Sequence, residues 1–159
     1  QPGPPRDLVE LRGDGLGVVT FGDGADPTIA ALTSIYGPPE VDSGYEVQAG
    51  RRVRRVSFGP LVVTLTGDPG AEVFTGWSYR PSTGQVSAPL QTAAGAASGL
   101  SFDELVARVG PTRPVQVSSV YEQCWTEATG EICGSSSSRF AGATPKPDEL
   151  VSALSASRP

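Results

Sequence analysis

The sequence predicts an α+β fold of two tandem modules, each a short helix packed on a small antiparallel sheet. Three observations carry that prediction. Two amphipathic segments each run into a Gly-Pro stop, Gly37-Pro38 and Gly110-Pro111, at an offset of 73 residues. Each is followed by short β-branched or aromatic runs separated by turn residues. The 159 residues include 20 glycines and 15 prolines, which implies many turns and no long helices. The division expected is a flexible tether over 1–10, a first module over 11–90 and a second over 91–159. The two halves are small enough to share one core.

The elements follow in order. Leu16 to Phe21 reads as a first strand, and Gly22 to Ala25 as a turn. Asp26-Pro27 then opens a helix, with Asp26 as N-cap and Pro27 at the first helical position. Ile29, Leu32 and Tyr36 give it one apolar face. Strands are expected at 45–48, 53–58, 61–66, 73–80 and 85–90. Ser101 and Glu104 form a capping box for the second helix, with Phe102, Leu105, Val106 and Val109 as its buried stripe. Further strands are expected at 115–122 and in a hairpin over 124–133, and a short last helix over 146–155.

Cys124 and Cys133 are the only cysteines. Thr129-Gly130 supplies a turn between them, so a hairpin brings both within bonding distance. The expected result is a disulfide and an oxidising compartment. Zinc would need two further ligands, and the chain has no histidine.

The stretch Leu16-Gly-Val-Val-Thr-Phe21-Gly22, followed by a short helix ending in Gly37-Pro38, resembles the opening of β-lactamase-inhibitor-like domains. Related modules occur in the SmpA/OmlA outer-membrane assembly lipoproteins, and actinobacterial exported proteins of unknown function are similar across much of the chain. The family places a "Gly-Met-Thr" type turn where this chain has Gly22-Asp23-Gly24, and the second copy lacks a Phe-Gly before its helix. The resemblance implies tandem modules building one sheet with a concave, aromatic-lined binding face. It does not imply inhibition of a β-lactamase. The arginine-heavy composition, 11 arginines to the single Lys146, also resembles that of actinobacterial proteins.

The absence of histidine removes Ser–His–Asp triads, Cys–His pairs and His-ligated metals, and there is no phosphate-cradling GxxxxGK[ST] loop. The close acid pairs Asp23/Asp26, Asp103/Glu104 and Asp148/Glu149 read as turn and helix-start acids. No catalytic residue, cofactor or metal is therefore assigned, and a carboxylate-only hydrolase is the weakest alternative. The net charge of −5 argues against nucleic acid as a partner, and no apolar stretch is long enough to span a membrane.

What remains is binding. Trp77 and Tyr79 lie two apart on a strand and so share a face, and Tyr121 and Trp125 flank the start of the hairpin. These four are the expected contact residues. In the run Arg51-Arg52-Val53-Arg54-Arg55, strand alternation separates Arg52 and Arg54 from Arg51 and Arg55; Arg52 and Arg54 are the expected charged rim. The reading is an exported, monomeric, non-enzymatic domain. It would bind a protein or a cell-envelope ligand, after removal of a signal peptide or as a tethered lipoprotein. The alternative is a cell-wall or carbohydrate-binding module that stacks the same aromatics on sugars.

Overall fold

The fold comes from a computed structural model and is described for residues 10–17, 19–44, 46–48, 50–81, 90–117, 120–136 and 150–158. The side chains of residues 48, 116, 117, 120 and 121 are outside the description. The tether assigned to 1–10 therefore falls almost wholly outside the described residues, as does the strand assigned to 85–90.

The chain opens with three two-residue strands, β1 (Leu11–Arg12), β2 (Gly15–Leu16) and β3 (Val19–Thr20), paired antiparallel in a small sheet of their own. The single strand expected over 16–21 is thus broken by a turn at Gly17, whose φ of 59° is the left-handed conformation that glycine adopts without strain. Helix α1 (Ala25–Tyr36) follows. Its N-cap is Gly24, with no side-chain cap, and Asp26 and Pro27 lie inside the first turn. The expected Asp26 cap is corrected: the Thr28 hydroxyl and amide both return to the Gly24 carbonyl, which starts the helix two residues earlier. Gly37 ends it at a φ of 83°.

Next come β4 (Val41–Asp42), β5 (Glu46–Gln48), β6 (Arg51–Phe58), β7 (Leu61–Thr66) and β8 (Val73–Tyr79). Helix α2 (Phe102–Val109) carries the expected capping box: the Glu104 amide donates to the Ser101 hydroxyl at 3.1 Å and the Ser101 amide to the Glu104 carboxylate at 3.3 Å. Phe102 and Leu105 are buried, whereas Val106 is exposed, so the buried stripe is narrower than its apolar residues. Strands β9 (Arg113–Val117), β10 (Val120–Glu127), β11 (Gly130–Ser135) and β12 (Ala153–Ser157) complete the chain.

Among the described residues, one antiparallel sheet of nine strands joins every strand from β4 onward. Its order is β4-β6-β7-β8-β12-β11-β10-β9, with β5 also pairing β6. The strands after α1 and those after α2 thus approach the centre in sequence order from opposite sides, and the last of each set meet as the β8–β12 pair. The helix expected over 146–155 is corrected over its described residues 150–155, and 146–149 lie outside the description. Residues 153–157 are a strand because two neighbours, β8 and β11, claim both of its edges, and two unpaired sheet edges would otherwise face each other.

One face of the sheet carries the core. Phe58, Leu61, Val63, Tyr79, Trp77, Leu154, Ile132 and Trp125 join Leu32 of α1 and Phe102 and Leu105 of α2 in a single buried cluster that includes residues of both halves. The small sheet closes one end. Gly13 lies so close to Gly130 that a Cβ on Gly13 would come within 2.3 Å of the Gly130 carbonyl carbon, and the Gly13 amide donates to the Thr129 hydroxyl at 2.8 Å. Among the described residues no helix is long and apolar enough to cross a membrane.

Candidate functional site

The opposite face of the sheet is polar, and its registers show why. Cross-strand partners share a face. One row runs Arg55, Thr64, Gly76, Ser157 across β6, β7, β8 and β12. The next runs Ser57, Val62, Ser78, Ser155, Cys133, Cys124, Arg113 across seven strands. Three buried residues of this face, Val53, Cys124 and Ala153, stand outside the core cluster, as their parity requires.

A groove of about 490 Å³ opens on this face over β6, β7, β8 and β12, within the range of small-ligand sites. Arg51, Arg55 and Arg158 contribute to its lining, and Thr64, Ser78 and Ser155 to its hydroxyl-rich floor. Two local features open it. Gly76 sits mid-strand in ordinary negative-φ backbone, so its missing side chain is no conformational necessity. A Cβ there would crowd the Ala156 carbonyl oxygen at 3.3 Å and touch Ser157, so the close approach of β12 favours glycine, which leaves no side chain between Thr64 and Ser157. The second is a bulge. Thr64 pairs with Gly76 but Leu65 with Phe74, so Thr75 is an extra residue. The Thr75 carbonyl then accepts the Arg158 amide at 2.7 Å, which anchors the backbone of that arginine at the groove.

The charges fit together differently from the sequence expectation. Arg54 forms a two-point ion pair with Asp42, at 2.6 and 3.0 Å. The Arg54 hydrogen bonds hold the Asp42 carboxyl below its ordinary value, with burial opposing and the Gly44 amide assisting. This pair ties the two-residue strand β4 to β6, so Arg54 is a fastener and not a rim. Arg52 is exposed on β6 but does not line the groove. The arginines of the other parity line it. Arg55 bridges to Glu46 at 3.4 Å, whereas Arg51 and Arg158 form no ion pair with a described acid. The hydroxyls of Thr64, Ser78, Ser155 and Ser157 make no hydrogen bond to another described residue, while Thr75 and Thr66 bond each other at 3.3 Å.

The aromatic contact face is corrected as well. Trp77, Tyr79 and Trp125 are 2%, 1% and 3% exposed and belong to the core cluster. Their polar atoms are spent internally: the Trp77 indole donates to the Arg12 carbonyl at 2.9 Å, the Tyr79 hydroxyl accepts the Leu90 amide at 3.2 Å, and the Trp125 indole donates to Glu127 at 2.9 Å. With 11 aromatics in 159 residues, the core takes the large ones first. Tyr121 is on β10, but its side chain lies outside the described residues. Nor does the suggested acid pair converge: Asp23 accepts the Thr20 amide at 2.9 Å in a turn, and Asp26 is exposed on α1.

Cys124 and Cys133 are bonded, directly opposite each other in the β10–β11 register, on the polar face beside Ser155. Glu122 joins them, with donor atoms of all three within 4.8 Å, but the bonded sulfurs are not available as thiolate ligands. Burial raises the Glu122 carboxyl above its usual 4.5. Its ionisation therefore opposes folding: nothing is lost below pH 4.5, where both states hold the proton, and the cost develops as pH climbs through the raised value. Glu122→Gln should raise the melting temperature at pH 7 and leave it unchanged at pH 3. Thermal unfolding at the two pH values checks this; equal shifts at both would contradict it.

No protein-family model matches the sequence, and no curated protein matches it. A solved structure, a cysteine-rich secretory protein of Staphylococcus aureus, is similar at a TM-score of 0.40 and 12% identity. The likeness covers 93% of this chain and 48% of that one, so the chain spans about half its length. A likeness at that level carries neither fold nor function to this protein.

Proposed function

We propose that this protein is an exported, non-enzymatic binding domain that holds its ligand in the polar groove over β6, β7, β8 and β12. The observation that carries the reading is the groove itself: three arginines around a floor of unengaged hydroxyls, with a mid-strand glycine that puts no side chain into it. The chemistry of that lining is recognition. It offers donors and positive charge, and no carboxylate, thiol or histidine stands among its described lining residues. The disulfide supports an oxidising compartment, reached by removal of a signal peptide or by a lipoprotein tether.

The tandem-module reading belongs to the same proposal. The convergence of both strand sets on the β8–β12 pair is the arrangement that two copies joined by their last strands would adopt, as the inhibitor-like resemblance implies. The groove then lies across the seam, three strands from one copy and one from the other, so binding needs both halves.

The test is a pull-down from culture fluid and envelope extract with oxidised protein, set against Gly76→Val, which fills the floor. An envelope or secreted component held by the native protein and lost with the variant, at an unchanged circular dichroism spectrum, is the expected result. Equal capture by both would overturn the groove as the site.

A further inference from the structure

Resting on that reading, we infer that the groove takes an anionic polyol: a sugar- or polyol-based polymer that carries repeated phosphate or carboxylate groups. Charge is the first reason. The chain carries a net charge of −5, yet three of its 12 basic residues line this one groove. Among the described residues, Glu46 bridges to Arg55, and Arg51 and Arg158 have no described acid to neutralise them. Guanidinium groups bind phosphate and carboxylate oxygens through paired, charge-assisted hydrogen bonds.

Spacing is the second. Arg51 and Arg55 are four residues apart on one strand, about 13 Å. From β6 to β12 is three strand spacings, about 14 Å. Backbone positions spread over that span suit a chain with several anionic groups better than one small anion. The floor is the third. Thr64, Ser78, Ser155 and Ser157 each offer a donor and an acceptor with no described partner, which suits hydroxyls on the ligand. A neutral sugar platform is usually aromatic, and the side chains of Trp77 and Trp125 point into the core. An acidic peptide could meet the charges but would leave the hydroxyl floor without matching groups.

The experiment is isothermal titration calorimetry of the oxidised full chain against poly(glycerol phosphate) and polygalacturonate, with neutral dextran and polyglutamate alongside. Binding of either anionic polyol, weakening as salt rises, with none to dextran and weaker binding to polyglutamate, is expected; the two arms tell phosphate from carboxylate. Arg51→Ser/Arg158→Ser should weaken that binding at least ten-fold at an unchanged melting temperature. Arg113→Ser, which removes an arginine of the same face already paired with Glu131 at 2.7 Å, should leave it within two-fold. Polyglutamate binding as tightly as the polyols, or an unaltered affinity in the double variant, would overturn the inference. Should neither polyol bind while Gly76→Val still abolishes capture from extract, the ligand class fails and the groove stands. Should polyol binding survive Gly76→Val, the groove reading itself fails.

Discussion

Trp77→Ala should destabilise the fold by about 3–5 kcal/mol, the usual cost of truncating a buried tryptophan. Trp77 sits on β8 at the centre of the sheet, opposite Val63 on one side and Ala156 on the other. Its removal leaves a cavity between the two halves, where neither can close it without breaking the β8–β12 pairing. It also leaves the Arg12 carbonyl without the indole that meets it, which ties β1 to the main sheet. Domains of this size are stable by only about 5–15 kcal/mol, so the loss is a large share of the whole. Trp77→Phe keeps most of the burial and gives up the hydrogen bond, for about 1–2 kcal/mol. Urea denaturation of the three proteins measures both values. Were Trp77→Ala to keep the native midpoint and lose ligand, Trp77 would be an exposed anchor after all, and the core assignment would be wrong.

Loss of the Cys124–Cys133 disulfide should cost about 2–3 kcal/mol, by the chain-entropy account for a closed loop of ten residues. The two cysteines face each other in a hairpin that β9 and β12 flank on either side, so the reduced native state has no reason to rearrange. The penalty falls on the unfolded chain, which regains the freedom that the cross-link denied it. Denaturation with and without dithiothreitol should separate the two midpoints, and Cys124→Ser/Cys133→Ser should unfold like the reduced protein and ignore the reductant. A shift well under 1 kcal/mol would mean that the hairpin persists in the unfolded ensemble. Because Cys133 adjoins Ser155 at the margin of the groove, the same reduction also shows whether the disulfide holds the floor in place.

What the sequence determined by itself is whatever depends on neighbours a few residues away. Ser101 and Glu104 announce a capping box because both partners lie within one turn, and the box forms as expected. Gly37 and Gly110 end their helices because the left-handed residue sits next to the last turn. Cys124 and Cys133 meet because a two-residue turn, at Ala128-Thr129 and not the expected Thr129-Gly130, places them opposite each other. The α+β class follows from such signals together.

Tertiary structure decided the rest, since a strand's face and partners are set by residues far away in the chain. Alternation divides Arg51 and Arg55 from Arg52 and Arg54, but only the pairing of Arg55 with Thr64 and the ion pair of Arg54 with Asp42 say which pair meets the groove. Trp77 and Tyr79 share a face, as their spacing requires, and the face is inward because both helices pack there. Leu154 to Ser157 alternates apolar and polar residues, a pattern too short to separate from a helix end until β8 and β11 flank it. The groove needs the Thr75 bulge, the bare floor at Gly76 and a strand from the far end of the chain at once, and no local stretch of sequence contains all three.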